Sequence, residues 1–170
     1  LIRGYQFFTA KPELVVLNVG EEGSGNPDDH LSYHHRRTGV ICLRGGLEME
    51  ISQLDDEEAA LFLEEYGIEE PGLHRMIRES YALLDLHSFF TVGEDEVRSW
   101  TIPVGATALE AAGAIHSDLA RGFIRAETIA YDDLIAAGSI DAARKQGVFR
   151  LQGKEYVVQD GDVLNIRFNV

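Results

Sequence analysis

Two short runs of apolar residues in the first half of the chain predict buried strands of a parallel sheet. The first run extends from Glu13 to Val19, and the second extends from Thr38 to Leu43. Residues 20–29, which lie between them, are rich in Gly, Asn, Pro and Asp, and this composition indicates a loop. We therefore expect an α/β arrangement for this part of the chain.

Two helices are predicted after the second strand. Asp55 opens an acidic segment, 55–58, that suits the positive end of a helix dipole, and Gly67 suits a left-handed helix stop. Pro71 suits the first turn of the next helix. Apolar residues then recur at three- and four-residue spacing and form one stripe, which consists of Leu73, Met76, Ile77, Tyr81 and Leu84.

Strands and short helices alternate in the second half of the chain. The pattern predicts strands at 88–92, 96–102, 123–129 and 163–168, and helices at 107–114 and 131–138. Residues 152–154, with the sequence Gln-Gly-Lys, indicate a hairpin turn between segments 148–151 and 155–158. This order of elements favours an α+β fold in which a helix packs on a small rolled sheet of the β-grasp type.

The total charge of the chain is strongly acidic. Its 170 residues are 45% hydrophobic and 26% charged, and 15 basic and 29 acidic residues give a net charge of −14. This composition excludes a wholly disordered chain, a collagen and a disulfide-stapled mini-protein. It disfavours nucleic-acid binding by bulk phosphate neutralisation, although a local basic patch stays compatible with it. The acidic excess falls after about residue 86, where we place a domain boundary.

Three further features bear on the cellular setting. Cys42 is the single cysteine and cannot form an internal disulfide, which fits a reducing compartment such as the cytoplasm. No apolar run approaches the roughly 20 residues of a membrane helix, so we expect no membrane partner. The chain starts at Leu1 rather than at a methionine, which predicts a fragment or a processed chain.

Several segments together carry a resemblance to a known family. In the second half they are 94–102, 111–118, 121–127 and 158–163. They resemble the C-terminal TGS domain of the Obg-like ATPase (YchF) family, which implies a β-grasp (ubiquitin-like) domain over about 87–170. Segment 8–21 resembles the strand and base-recognition motif of the same family, and 54–58 and 69–73 resemble its following helices. Residues 1–86 are then expected to be the C-terminal part of a P-loop nucleotide-binding (G) domain of the TRAFAC class.

The segment from Asn18 to Glu21 directly follows a predicted strand, at the sheet edge where open α/β folds bind ligands. Ordinary GTPases have N-K-x-D here, and its aspartate accepts hydrogen bonds from guanine, whereas this chain has N-x-x-E. Glu21, with Val19 in place of the lysine, weakens the case for guanine, and the resemblance implies a preference for ATP. We expect Asn18 to hold the loop, Val19 to contact the base and Glu21 to set specificity. The alternative is that Asn18 caps the strand end and Glu21 is a solvated carboxylate.

Two further groups of residues are candidates for binding. By resemblance, residues 43–46 correspond to a second base-contacting loop, in which Arg44 departs from the usual small polar residues and Gly45 lets the backbone approach a ligand. A plain strand-to-helix turn is the alternative. The basic residues of the second half predict an RNA or ribosome contact if they share a face, with Arg98, Arg121 and Arg125 as first candidates, followed by Arg144, Lys145 and Arg150.

No catalytic or metal site is predicted. His30, His34 and His35 with Asp28 and Asp29 read as a solvated polar loop, and His116 with Asp118 reads as a helix-end contact. No G-x-x-x-x-G-K-[ST] phosphate loop occurs in the 170 residues.

The resemblance therefore implies an intact protein that binds and slowly hydrolyses ATP (or GTP) with Mg²⁺ and associates with the ribosome or RNA. We expect this chain alone to be inactive and to hold no tightly bound cofactor. The alternative is a standalone TGS module that binds RNA or protein without enzymatic activity. The oligomeric state stays open.

Overall fold

The computed structural model describes residues 3–5, 7–33, 35–93 and 95–169. The chain divides into two compact units, Leu1–Leu84 and Asp85–Val170. The first unit contains a two-stranded sheet and the second contains a five-stranded sheet. No helix among these described residues is long and apolar enough to cross a membrane.

The first unit is built on two parallel strands, β1 (Glu13–Asn18) and β2 (Thr38–Leu43). They pair in register from Glu13 opposite Thr38 to Asn18 opposite Leu43. The two strands and their parallel pairing confirm the prediction from the apolar runs, but only β2 has buried residues, and the expected burial of β1 is wrong. Short 3₁₀ helices lie at Arg3–Tyr5, Phe8–Ala10 and Pro27–Asp29.

Three helices follow the strands: α1 (Gly45–Ile51), α2 (Asp56–Glu65) and α3 (Gly72–Leu83). The two longer ones were predicted, and the Asp55 side chain caps α2 by accepting from the Glu58 amide at 2.9 Å. Helix α1 was not predicted, because its two leading glycines have low helix propensity. Burial of Leu47 and Ile51 stabilises that helix instead.

The second unit contains a mixed sheet with the strand order β4-β3-β7-β5-β6. Strands β3 and β7 are parallel, while the pairs β3–β4, β5–β7 and β5–β6 are antiparallel. The strands are β3 (Leu86–Val92), β4 (Val97–Pro103), β5 (Phe123–Ala130), β6 (Arg150–Gln152) and β7 (Asp162–Phe168). The helices are α4 (Ala108–Ile115), α5 (Ser117–Arg121), α6 (Tyr131–Ala137) and α7 (Ile140–Gln146).

Two hydrophobic clusters lie on opposite faces of this sheet. Alternate residues of a strand point to opposite faces, so Leu164 and Val163 of β7 enter different clusters. The α4 face carries Leu164 with Phe89, Ala126 and residues of α4. The α6–α7 face carries Val163 with Phe90, Ile129 and residues of α6 and α7. The second unit is therefore a mixed α/β fold with helices on both sides of its sheet.

The strands and helices predicted for the second half are confirmed, with one exception. The predicted hairpin between 148–151 and 155–158 is wrong, because Arg150–Gln152 pairs with β5. In the second segment, Val157 forms an isolated bridge with Thr107 and Val158 is buried in the cluster on the α4 face. The helices α5 and α7 were not predicted.

A buried carboxylate anchors the segment that was expected to form the hairpin. Asp162 is only 5% exposed, and it accepts hydrogen bonds from the Tyr156 hydroxyl at 2.8 Å and the Gln159 amide at 2.9 Å. Burial, followed by the hydrogen bond and the charge of Asp162, raises the pKa of Tyr156 to about 12. The phenol is therefore held in its neutral, donating form.

We predict that Tyr156→Phe lowers the free energy of unfolding of the second unit by about 1.5–3 kcal/mol, because it removes a hydrogen bond to a charged group. Urea unfolding followed by the fluorescence of Trp100 measures the change. Tyr131→Phe is the matched control, since the Tyr131 ring is 52% exposed. Equal midpoints for the two variants would contradict the prediction.

The same contact predicts a pH dependence at alkaline pH. The folded pKa lies above the ordinary value of 10.0, so the stabilisation is fully present below pH 10 and is lost as the pH rises through about 12. The stability difference between the wild type and Tyr156→Phe should be constant across neutral pH and shrink above pH 10. If this stability difference instead shrank between neutral and mildly acidic pH, it would depend on the titration of a group other than the Tyr156 hydroxyl.

Candidate functional site

The loops after β1 and β2 lie side by side at one edge of the two-stranded sheet. Their strands are parallel and end at paired residues, Asn18 and Leu43. The Val19 amide continues this pairing by donating to the Leu43 carbonyl at 2.8 Å. The carboxyl edge of a parallel sheet is where open α/β folds bind ligands. The structure thus places the predicted residues of both loops at a common edge.

Asn18 links the two loops directly. Its Oδ1 accepts a hydrogen bond from the Gly45 amide at 3.1 Å. A Cβ atom on Gly45 would lie 2.8 Å from the same oxygen, which is closer than real Cβ contacts. A side chain at position 45 would therefore displace the Asn18 amide group, and the present contact fits the loop-holding role expected for Asn18.

Arg44 stabilises the same region through hydrogen bonds to backbone carbonyl groups. Its Nε and Nη2 donate to the Gly23 carbonyl, each at 3.3 Å, and its Nη1 donates to the Tyr66 carbonyl at 3.0 Å. The guanidinium thus joins the loop after β1 to the end of α2. This role of Arg44 was not predicted, and the only signal for it in the sequence is that Arg44 departs from the small polar residues of the family pattern.

Glu21 lies in a tight turn over residues 20–23, and Val19 directly precedes it. The Gly23 amide donates to the Gly20 carbonyl at 2.9 Å, and a Cβ atom on Gly23 would lie 2.8 Å from the Val19 Cβ. Val19 is half-buried, whereas Glu21 is exposed. No hydrogen bond or ion pair joins the Glu21 carboxylate to another described residue. This carboxylate is therefore available to a ligand at the sheet edge.

Behind the loops lies a small cavity of about 80 Å³, lined by Val19, Gly25, Cys42, Arg44, Glu48, Gly67, Ile68 and Arg75. Ligand pockets usually enclose about 300–1,000 Å³, so this cavity does not hold a nucleotide by itself. Two of the lining residues are joined by a hydrogen bond, which Arg75 Nη2 donates to the Cys42 carbonyl. Burial raises the pKa of the Cys42 thiol, while the charge of Arg75 opposes this shift.

The candidates for metal binding and catalysis have local structural roles. His30 Nε2 lies 2.9 Å from the Ser24 carbonyl, and His116 Nδ1 accepts from the Asp118 amide at 3.2 Å. His34 lies outside the described residues. Within the described ranges, no group of three or more His, Cys, Asp and Glu residues is placed to hold a metal ion.

The three arginines predicted to contact RNA do not share one face. Arg98 stacks on the Trp100 ring, 4.4 Å from its centroid, and this ring packs against the cluster on the α4 face. Arg121 at the end of α5 pairs with Asp118 at 3.0 Å. Arg125 lies on the α6–α7 face, because it alternates along β5 with Ala126 of the α4 face. Of the three, only Arg125 is on the α6–α7 face and without a described partner.

Comparisons with known proteins agree on one family. Residues 86–169 match the sequence profile of the YchF-GTPase_C family, described as a protein of unknown function (DUF933). Proteins called ribosome-binding ATPase YchF are 50% identical over 173 residues in Pasteurella multocida and 47% identical over 179 residues in Bacillus subtilis. These alignments cover 99% and 100% of this chain and 48% of each relative. The chain thus spans about half the length of the curated relatives it matches.

Two solved structures resemble the chain. The Schizosaccharomyces pombe YchF GTPase is 35% identical with a TM-score of 0.66, over 76% of this chain and 34% of that one. A GTP binding protein from Pyrococcus horikoshii is 19% identical with a TM-score of 0.52, over 78% and 38% of the two chains, and shows likeness of fold alone.

The fold is thus shared with proteins described as a GTPase and a GTP-binding protein, and the sequence is similar to proteins described as ATPases. The chain belongs to the YchF family and corresponds to its C-terminal region. The family resemblance seen in the sequence is confirmed.

We predict that Gly45→Ala destabilises the first unit by about 0.5–1.5 kcal/mol, because the new Cβ displaces Asn18 and breaks its hydrogen bond. Gly46→Ala is the matched control, since no atom lies within 4 Å of a Cβ built there. That control should be neutral or stabilising by up to about 1 kcal/mol, because alanine favours the helix. Urea unfolding followed by far-ultraviolet circular dichroism, with hydrogen exchange of residues 43–48, measures both.

A double-mutant cycle separates the Asn18 contact from a general effect of the new side chain. In an Asn18→Ala background the cost of Gly45→Ala should disappear, because the displaced oxygen is absent. An undiminished cost in that background would show that the Asn18 contact is not the cause.

Proposed function

We propose that this chain is the base-reading and ribosome-contacting C-terminal region of a protein that binds and slowly hydrolyses ATP or GTP. The observation that carries the proposal is the pair of loops joined by Asn18 and Gly45 at the carboxyl edge of β1 and β2. Relatives at 47–50% identity are called ribosome-binding ATPases. Ribosome association, and with it a cytoplasmic location, enters the proposal from that name.

The proposed domains follow the two units of the structure. Residues 1–86 are assigned to the C-terminal part of a P-loop nucleotide-binding domain, supported by two parallel strands followed by helices. Residues 87–170 are assigned to a TGS domain of the β-grasp type. The strand order β4-β3-β7-β5-β6 supports this assignment, because the first and last strands of the unit lie parallel at its centre and α4 packs on one face.

The base-reading residues are proposed to be Asn18, Val19, Glu21 and Gly45. Val19 stands where N-K-x-D has lysine, and Glu21 is one methylene longer than the aspartate that accepts both guanine donors. The loop geometry keeps the Glu21 carboxylate exposed and unpaired among the described residues. We therefore propose a preference for adenine over guanine, with Mg²⁺ and phosphate held outside this chain, since its sequence contains no P-loop motif.

A binding module without enzymatic activity is the second candidate. The same lack of a P-loop motif in the 170 residues favours it. The two candidates differ in whether the edge formed by the two loops binds a nucleobase.

We predict that adenosine shifts the backbone amide resonances of residues 19–25 and 45–46 in the labelled full chain, and that guanosine shifts them less at equal concentration. Glu21→Gln should reduce this preference, whereas the neighbouring Glu22→Gln should leave it unchanged. Chemical-shift titration by NMR provides the measurement. If neither nucleoside shifts these amides, the base-reading proposal fails and the binding module is favoured.

We also predict no release of phosphate when the chain is incubated alone with ATP and Mg²⁺. Catalysis of phosphoryl transfer depends on groups that position the phosphates, and the sequence lacks that loop. Turnover that co-purifies with the chain and is abolished by removing Mg²⁺ would contradict the assignment of the catalytic groups to another part of the protein.

A further inference from the structure

Three arginines lie together on the α6–α7 face of the second unit, and we call them the arginine cluster: Arg125 on β5, Arg144 on α7 and Arg167 on β7. Arg125 and Arg167 are directly opposite each other in the antiparallel β5–β7 ladder. Side chains at directly opposite positions lie on the same face, about 4.5–5.5 Å apart at Cβ. The side chain of Arg144 extends from α7 toward the same face of the sheet.

Glu127 organises this cluster. Its carboxylate pairs with Arg167 through Oε1, and its Oε2 lies 3.8 Å from Arg144 Nη2. Asn165 Nδ2 also donates to Oε2, at 3.1 Å. The Glu127 side chain is only 12% exposed, so its charge is directed to these partners rather than to solvent.

The cluster retains an excess of positive charge. The Glu127 carboxylate pairs with two guanidinium groups, those of Arg144 and Arg167, and no hydrogen bond or ion pair joins Arg125 to another described residue. Like charges directly opposite each other in a sheet are destabilising. The fold therefore keeps Arg125 beside Arg167 without a described acidic partner, in a chain whose net charge is −14.

The surroundings of the cluster are suited to a phosphate backbone. Guanidinium groups bind phosphate oxygens through two parallel hydrogen bonds, which the compact charge of lysine does not provide. Arg144 lies over the Phe149 ring, 5.6 Å from its centroid, and Leu151, 58% exposed, is opposite Glu127 in the ladder. Apolar and aromatic surface next to arginines is typical of sites where single-stranded nucleic acid packs its bases.

We propose that the arginine cluster binds the phosphate backbone of RNA, with Glu127 as the positioning residue that holds Arg144 and Arg167 in place. This inference rests on the ribosome association in the proposed function and identifies the surface involved. It excludes Arg98, which is stacked on Trp100 on the α4 face, and Arg121, which is paired with Asp118.

The test measures binding of a fluorescein-labelled oligouridine to the full chain by fluorescence anisotropy across a range of KCl concentrations. Arg125→Ala is the main variant, because Arg125 has no described partner whose loss would disturb the fold. Its affinity should fall several-fold, and the slope of log K against log salt should flatten by about 0.7 for one lost phosphate contact. Arg125→Lys should recover the slope but only part of the affinity.

Arg98→Ala is the matched control, since it removes the same charge from the opposite face and should change affinity less than twofold. Far-ultraviolet circular dichroism checks that each variant is folded, because Arg98→Ala alters the surroundings of Trp100 directly. If Arg98→Ala weakens binding as much as Arg125→Ala, RNA binding stands but its assignment to the cluster is overturned.

Two further outcomes would overturn the inference in different ways. If the chain co-sediments with ribosomes through Arg125 but binds no oligouridine, the cluster contacts an acidic protein surface. If the chain binds neither, the ribosome part of the proposed function also fails. The nucleoside titration of residues 19–25 is independent of all these results.

Discussion

The hydrogen bond between Asn18 Oδ1 and the Gly45 amide is the constraint on which the sheet-edge site depends. Two parallel strands bring their loops to one edge, but they do not fix where the loops turn. The Asn18 contact joins the start of α1 to the end of β1, and a Cβ atom at position 45 would displace the Asn18 oxygen from its present position. Arg44 then holds the remaining loop by its carbonyl at Gly23. Val19 is also held by its amide, which donates to the Leu43 carbonyl, whereas Glu21 is positioned by its turn alone among the described contacts.

In the second unit, the alternation of side chains along β7 has a comparable effect. Leu164 packs into the cluster on the α4 face, Val163 packs into the cluster on the α6–α7 face, and helices cover both faces. Farther along the same strand, Arg167 continues the α6–α7 face beyond the helices, where its neighbour on β5 is Arg125. The basic surface is thus a consequence of the strand register, because a shift of one residue would send these arginines to the α4 face.

The sequence predicted those features whose determinants are local. Apolar runs identified β1 and β2, and the motif at Asn18 to Glu21 identified the sheet edge. Prediction failed where contacts between residues that are far apart in the sequence determine the structure. The turn signal at residues 152–154 was read as a hairpin, but Asp162 and the α4-face cluster hold the following segment elsewhere. The partners of Arg44 lie 21 and 22 residues away, so its role could not be read from the loop. The grouping of arginines likewise depends on strand order, which places Arg98 and Arg125 on different faces.

A net charge of −14 does not argue against a phosphate-binding surface once the distances are considered. At physiological ionic strength, interactions between exposed charges are screened over about 8 Å, so a phosphate in contact with Arg125 and Arg167 is little affected by distant carboxylates. Those carboxylates instead disfavour binding of a polyanion anywhere else on the surface. If the arginine cluster binds RNA as proposed, the acidic surroundings add selectivity for how the RNA docks, because orientations that place phosphates against carboxylates are repelled.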